Sequence, residues 1–135
     1  MDITGGCICG KVKYTLKEMP VMMGNCHCLD CQKWTGCAYK PVCMFSNKTL
    51  KLEGEIRYYT KAADSGEMIH RGFCASCGGD VVTKCDQFVE YVMIGAGTLD
   101  QPSVYNPNID FYTDSAQKWD CFLDHTHKFS RQIER

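Results

Sequence analysis

The chain has 135 residues, enough for one domain spanning residues 1–135, and its 44% hydrophobic and 23% charged residues exclude a disordered chain. Its 15 Lys and Arg nearly balance 16 Asp and Glu, so the net charge of -1 argues against nucleic acid as a partner. No apolar run is long enough to span a bilayer, and the N-terminal residues lack a signal-peptide pattern, so we expect no membrane partner and a cytoplasmic location.

Short strands dominate the predicted secondary structure, which makes this a mainly β chain of several short antiparallel sheets. Polar and apolar residues alternate over residues 11–16, which predicts a half-buried strand. Leu29–Thr35 is expected to form one or two helical turns that end at Gly36. Pro41 within residues 38–45 predicts an edge or bulged strand, because proline cannot donate to a sheet ladder. Further strands are predicted over residues 56–60, 68–73, 80–83, 88–94 and 109–112, followed by an irregular C-terminus.

Cysteine is the outlier in the composition, with 11 residues or about 8% of the chain. An odd number, tight spacing and the lack of an export signal argue against a disulfide framework and favour bound metal, zinc in particular. A small β domain with many loops gains stability from such sites, so we predict a small zinc-stapled domain. The cysteines are Cys7, Cys9, Cys26, Cys28, Cys31, Cys37, Cys43, Cys74, Cys77, Cys85 and Cys121.

The first and third cysteine groups are predicted to form the two halves of one zinc site. Cys7 and Cys9 are one residue apart, whereas Cys74 and Cys77 form a CxxC pair, and glycines follow both groups. Each glycine-flanked turn presents two thiolates, so the two halves complete a closed Cys₄ site. This is the usual form of structural zinc, with no position open to a substrate. A CxxC redox pair is the alternative, but no βαβ pattern surrounds it.

The second group places Cys26, Cys28 and Cys31 within six residues and leaves the number of protein ligands open. Three protein ligands with an open fourth position would be the catalytic form of a zinc site, whereas a fourth protein ligand would make it structural. His27 lies between two of the cysteines, and strand alternation is expected to point its side chain away from their metal. The residues that could close the site are Cys37, Cys43, Cys85, Cys121 and His27.

An open second site would activate an incoming thiol or water. Zinc lowers the pKa of a bound group and so supplies a nucleophile at neutral pH. Three thiolates make the ion a weaker Lewis acid than three histidines would, which favours binding of an exogenous thiol over hydrolysis. Lys33, Lys40 and Arg71 could receive the carboxylates of a peptide-like thiol, although each taken alone is expected to be a solvated surface charge.

Four ordered segments carry a resemblance to a known family. They are GCICGKVKY at residues 6–14, NCHCLDCQKWTG at 25–36, FCASCG at 73–78 and GTLD at 97–100. They are similar to GxCxCGxVxY, CHCxxCRxx[ST]G, FCxxCG and GTLD of the glutathione-dependent formaldehyde-activating enzyme (GFA) or centromere protein V family, which includes S-(hydroxymethyl)glutathione synthase. The resemblance extends from about Thr4 to Trp119, almost the whole chain.

The resemblance implies a zinc-held β fold related to Rab-accessory zinc proteins and B-type methionine sulfoxide reductases. It implies a carbon–sulfur lyase or synthase that acts on a thiol such as glutathione and an aldehyde such as formaldehyde. Two alternatives stay open: a non-enzymatic binding module in which both zinc ions are structural, and a thiol redox or zinc-buffering protein. The two zinc ions implied per chain are a structural one at Cys7, Cys9, Cys74 and Cys77 and a labile, catalytic one at Cys26, Cys28 and Cys31.

Two departures from the family pattern bear on the chemistry and not on the fold. Gln32 and Lys33 stand where the family often has an arginine-containing pair. Family members commonly carry Pro-x-x-His-Ile near the end, where this chain has the sequence NPNI at residues 106–109. Asn108 therefore replaces that histidine.

Overall fold

A computed structural model describes residues 2–132 of the chain. The prediction of a mainly β fold is confirmed, and the described residues contain one α-helix of seven residues. That helix, α1, spans Leu29–Thr35. The strands are β1 (Ile3–Gly6), β2 (Lys13–Leu16), β3 (Met22–Cys26), β4 (Lys40–Ser46), β5 (Lys51–Glu53), β6 (Ile56–Ala62), β7 (Met68–Cys74), β8 (Asp80–Cys85), β9 (Tyr91–Gly95), β10 (Ile109–Phe111) and β11 (His127–Lys128).

The strands form two sheets. β1, β2 and β5 make a three-stranded antiparallel sheet, and the other eight strands form a larger sheet in the order β11-β10-β3-β4-β9-β8-β7-β6. In the part of the large sheet with the order β3-β4-β9-β8-β7-β6, all neighbouring strands are antiparallel. β10 runs parallel to both of its neighbours, β3 and β11. The structure thus refines the prediction of antiparallel sheets at this edge, where a distant segment rather than a hairpin supplies the partner of β3.

The main core lies between the small sheet and one face of the large sheet. Tyr14 and Leu16 of β2 are buried there, as the alternation in residues 11–16 predicts. Phe45 of β4 and Ile94 of β9 meet them from the large sheet. Successive side chains of a strand point to opposite faces, so β4 and β9 also present residues to the other face of the large sheet. That second face forms the floor of a pocket described below.

The helix α1 has the predicted bounds because both of its ends are capped. The side chain of Cys28, which precedes the helix, accepts a hydrogen bond from the backbone N–H of Cys31 at 3.3 Å. Gly36 ends the helix with φ of 68°, a left-handed conformation that glycine adopts without steric cost. The helix therefore starts within the second cysteine group.

Pro41 lies in an interior strand, so the prediction of an edge strand is wrong. β4 is hydrogen-bonded between β3 and β9. Pro41 pairs with Asn25 of β3, but the ladder with β9 begins only at Val42. The proline therefore lies beyond the end of the second ladder, where its missing N–H removes no sheet hydrogen bond.

The remaining predicted strands each overlap an observed one, from β6 to β10. β1, β3, β5 and β11 were not predicted, because two to five residues are too few for a clear alternation. The C-terminal segment is mostly irregular, as predicted, although backbone hydrogen bonds tie residues 112–114 to residues 129–131. Within residues 2–132 no helix has the length and apolarity needed to cross a bilayer.

Candidate metal centres and the adjoining pocket

Four cysteines from two distant parts of the chain converge into one cluster. Cys7 and Cys9 follow β1, Cys74 ends β7, and Cys77 lies in the next turn. Their Sγ atoms all lie within 4.8 Å of one another. Cys9 Sγ is 3.5 Å from Cys7 Sγ and 3.7 Å from Cys74 Sγ. Tetrahedral zinc with Zn–S bonds of about 2.3 Å needs sulfur separations of about 3.8 Å, so the cluster fits this ion.

Backbone amides donate hydrogen bonds to two sulfurs of this cluster and lower the pKa values of their thiols. The N–H of Val12 donates to Cys7 Sγ at 3.3 Å, and the N–H of Gly79 donates to Cys77 Sγ at 3.4 Å. Burial raises the pKa of the Cys7 thiol, but the Val12 amide and neighbouring sulfurs outweigh burial and lower it to about 6. The Gly79 amide likewise lowers the pKa of Cys77. Gly78 permits the tight turn with φ of 74°.

Three further cysteines form the second cluster. Cys26 ends β3, Cys28 caps the start of α1, and Cys31 lies in its first turn. Their Sγ atoms also lie within 4.8 Å of one another. Hydrogen bonds from the thiols of Cys26 and Cys31 hold the pKa of Cys28 well below its usual value, whereas the bond to Cys28 raises the pKa of Cys26. The bond to Cys26 lowers the pKa of Cys31, but the bond to Cys28 and burial outweigh it and raise this pKa to about 11. A metal ion bound here would therefore displace the thiol protons of Cys26 and Cys31.

His27 points away from this cluster, as predicted. Its side chain is 1% exposed, and both ring nitrogens are bound to carboxylates. Nε2 lies 2.7 Å from Oδ1 of Asp110, and Nδ1 lies 2.6 Å from Oδ2 of Asp120. Neither nitrogen is left for a metal ion. The sequence carries no local signal for these partners, because Asp110 and Asp120 lie 83 and 93 residues away.

The other cysteines that could have closed the second cluster lie elsewhere. Cys43 is fully buried in the main core, and Cys37 and Cys121 are exposed. Cys85 lines the adjoining pocket but does not join the sulfur cluster. Among residues 2–132, no fourth His, Cys, Asp or Glu ligand atom lies within 4.8 Å of all three sulfurs. In the described part of the chain the second cluster is therefore a three-sulfur site.

The three sulfurs border a pocket of about 470 Å³. Its floor is the second face of the large sheet, and its walls come from the start of α1 and the segments after β6 and β10. An ion pair of 2.6 Å between Lys61 Nζ and Asp30 Oδ1 joins the end of β6 to α1 at the rim. Most of the floor is apolar. The side chains that form this apolar part are Met22, Val42, Met44, Ile69 and Met93.

Two buried cations also line the pocket. Lys40 is 4% exposed and Arg71 is 7% exposed, so the expectation that each is a solvated surface charge is wrong for both. Their strands lie inside the large sheet, which the sequence alone did not indicate. Lys40 is the direct cross-strand neighbour of Cys26, and its Nζ lies 3.1 Å from Oδ2 of Asp80. Lys33 is exposed, as expected.

Both departures from the family pattern have a place in the structure. The side-chain amide of Gln32 donates to the carbonyl oxygens of His27 at 2.7 Å and Ser115 at 3.0 Å, so it fixes α1 against the C-terminal segment. Asn108 is exposed, does not line the pocket, and donates its backbone N–H to the Met23 carbonyl oxygen. Neither residue contacts the pocket with its side chain.

Comparison with known proteins identifies a family. The family described as glutathione-dependent formaldehyde-activating enzyme matches residues 2–115 of the 135-residue chain, which include both cysteine clusters. A comparison with curated proteins finds no match. The chain belongs to the glutathione-dependent formaldehyde-activating enzyme family, and the resemblance found in the sequence is confirmed.

Proposed function

We propose that this member of the glutathione-dependent formaldehyde-activating enzyme family is a zinc-dependent carbon–sulfur lyase or synthase that acts on glutathione or a similar thiol and an aldehyde. In the synthetic direction, a bond forms between the thiol sulfur and the carbonyl carbon, the carbonyl π bond opens, and the thiol proton ends on the oxygen. The lyase direction reverses these changes. One observation carries the proposal: a three-sulfur cluster, without a fourth ligand among residues 2–132, borders a pocket.

The three cysteines would hold the ion on the floor of the pocket. Cys26 is fixed by β3, and Cys28 and Cys31 are fixed by the capped start of α1, so the sulfurs are positioned by packed elements rather than by a free loop. When bound there, zinc would lower the pKa of a substrate thiol and supply it as a thiolate at neutral pH. The pocket that the three sulfurs border would admit that thiol.

Lys40 and Arg71 would recognise the other polar groups of the reactants. The carbonyl oxygen gains negative charge as the carbon–sulfur bond forms. The buried ammonium of Lys40 is held by Asp80 and Thr83, and its third N–H would stabilise this charge. The guanidinium of Arg71 offers a planar pair of donors to a carboxylate of the thiol. None of the ion pairs found among residues 2–132 involves Arg71.

Cys28→Ala tests the proposed function directly. We expect the rate of exchange between free glutathione and its formaldehyde adduct, measured by NMR above the uncatalysed rate, to fall at least about 100-fold because one of three ligands is lost. Zinc content should fall from two ions per chain to one, while the circular dichroism spectrum is retained. The matched control is Cys37→Ala, an exposed cysteine just beyond the same helix, which should keep the wild-type rate. Exchange at the wild-type rate in Cys28→Ala would overturn the proposal.

Lys40→Met should slow catalysis without removing the metal. Loss of one donor to a developing oxyanion lowers turnover by about 100-fold, whereas zinc content should stay at two ions. Lys40→Arg keeps the positive charge and should recover part of the lost turnover. Lys84→Met removes an exposed lysine of β8 that does not line the pocket and serves as the control. Unchanged turnover in Lys40→Met would exclude Lys40 from the reaction.

A further inference from the structure

Three methionines form a continuous row on the floor of the pocket. Met22 of β3 pairs directly with Met44 of β4, and Met44 pairs with Met93 of β9. All three are half-buried and line the pocket. Directly opposed residues of paired strands lie on the same face with neighbouring side chains, so the three thioethers form one apolar surface. We call Met22, Met44 and Met93 the methionine row.

The methionine row lies well away from the three-sulfur cluster. Met22 precedes Cys26 by four residues on β3, and Met44 follows Lys40 by four residues on β4. At about 3.3 Å per residue, the row is about 13 Å from the Cys26–Lys40 pair along the strands. A one-carbon electrophile joined to a sulfur at the cluster does not reach this distance. If formaldehyde were the electrophile, another part of the adduct would have to cover the row.

A glutathione-like thiol is a poor partner for the methionine row. Its two carboxylates, ammonium and amides need hydrogen-bond partners, which thioether side chains supply only weakly. Along the same line across the sheet, Met93 is followed by Thr83 of β8 and Arg71 of β7, which are polar. Along this line, the pocket floor therefore changes from apolar at β3, β4 and β9 to polar at β8 and β7.

We propose that the electrophile is an aldehyde with an extended apolar group, either an aromatic ring or an aliphatic chain of about six carbons, that lies on the methionine row. The polar part of the thiol then lies toward Arg71. This inference rests on the proposed function and names its substrate class. A pocket of about 470 Å³ falls in the range of sites for drug-sized ligands rather than for one-carbon compounds. Methionine side chains adapt to different apolar shapes, so the pocket accepts a range of such groups.

Stable thioethers test the inference without turnover. We expect S-hexylglutathione to bind the zinc-loaded full chain at least about tenfold more tightly than S-methylglutathione in calorimetry, because the added methylenes leave water for the methionine row. Equal or weaker binding of the hexyl compound would overturn the inference, and catalysed exchange of the formaldehyde adduct would leave the proposed function standing.

Methionine variants and isotope-labelled methionines show whether the hexyl group binds on the methionine row. Met44→Ala and Met93→Ala should each reduce the preference for the hexyl compound about three- to tenfold and leave binding of S-methylglutathione unchanged. Met19→Ala, at an exposed methionine outside the pocket, should keep the preference. In protein labelled with ¹³C at the methionine methyl groups, S-hexylglutathione should shift the resonances of the methionine row. Shifts at Met19 or Met68 alone would overturn the inference.

A further experiment applies if glutathione is not the thiol. If neither glutathione derivative binds, glutathione is removed from the proposed function. The labelled chain is then titrated with the S-hexyl and the S-methyl thioether of 2-mercaptoethanol. Shifts of the methionine row with the S-hexyl thioether alone support an apolar electrophile with a different thiol, and their absence overturns the inference.

Discussion

Cys77→Ser is expected to leave the chain largely unfolded at pH 7. The four-sulfur cluster links the turn after β1 to the turn after β7, so it joins the small sheet to the large one. A structural zinc site contributes about 10–16 kcal/mol to folding at this pH, whereas a whole domain has a stability of only about 5–15 kcal/mol. Serine has nearly the size of cysteine, so the loss reflects the missing ligand rather than a cavity.

The measurement combines far-UV circular dichroism, amide NMR dispersion and zinc content. Cys121→Ser removes an exposed cysteine outside both clusters and should match the wild-type chain in all three. Cys28→Ala should stay folded, because it affects the second cluster only. A Cys77→Ser chain with dispersed amide signals and an unchanged urea midpoint would show that the cluster does not hold the fold together.

The sequence predicts the two sulfur clusters well because cysteine spacing is local information. Cys26, Cys28 and Cys31 lie within six residues, and the end of β3 followed by the capped start of α1 brings their sulfurs together. The CxxC turn at Cys74 and Cys77 works in the same way. The contact between this turn and the first cysteine group is long-range. It could still be predicted, because each group supplies only two ligands and therefore needs a second two-cysteine group to complete a zinc site.

The pocket could not be predicted, because its properties depend on sheet order. Lys40 and Arg71 are separated by 31 positions, and nothing in their neighbours distinguishes them from the solvated Lys33. They are buried because β4 and β7 are interior strands. The methionine row has the same origin, since Met22, Met44 and Met93 become adjacent only through the β3–β4–β9 register. Pattern along the chain therefore locates the two sulfur clusters, whereas the lining of the adjoining pocket follows from the topology.

A buried hydrogen-bonded cluster anchors His27 between the end of β3 and the start of α1. His27 lies between Cys26 and Cys28 and is bound by the carboxylates of Asp110 and Asp120. Asp120 lies beyond the residues matched by the family, so a C-terminal segment of this chain completes the cluster. The hydroxyl of Thr126 in the same segment donates to Asp110. The position of His27 between Cys26 and Cys28 thus depends on contacts with Asp120 and, through Asp110, with Thr126.

Asp110→Asn is expected to lower the free energy of unfolding by about 3 kcal/mol at pH 7, because an amide cannot accept all the hydrogen bonds that the two carboxylate oxygens accept from His27, Thr126 and Asn25 and so leaves buried donors unpaired. Burial raises the pKa of Asp110, but hydrogen bonds from His27, Thr126 and Asn25 outweigh it and hold the pKa below the usual 3.8. A carboxyl with a lowered pKa stabilises the fold above its unfolded pKa and loses that contribution as the pH falls through its folded pKa.

The gap between wild type and Asp110→Asn should therefore be present in full throughout pH 5 to 7, where a carboxyl with a pKa below 3.8 stays ionised. Urea unfolding of the metal-loaded chains at several pH values in this range measures the gap. More acidic conditions release metal from thiolate sites and are not used. Asp100→Asn, at an exposed residue bonded to Thr4, should change stability by less than about 0.5 kcal/mol. A gap below about 0.5 kcal/mol at pH 7 would contradict a role for the Asp110 carboxylate in holding the buried hydrogen-bonded cluster together.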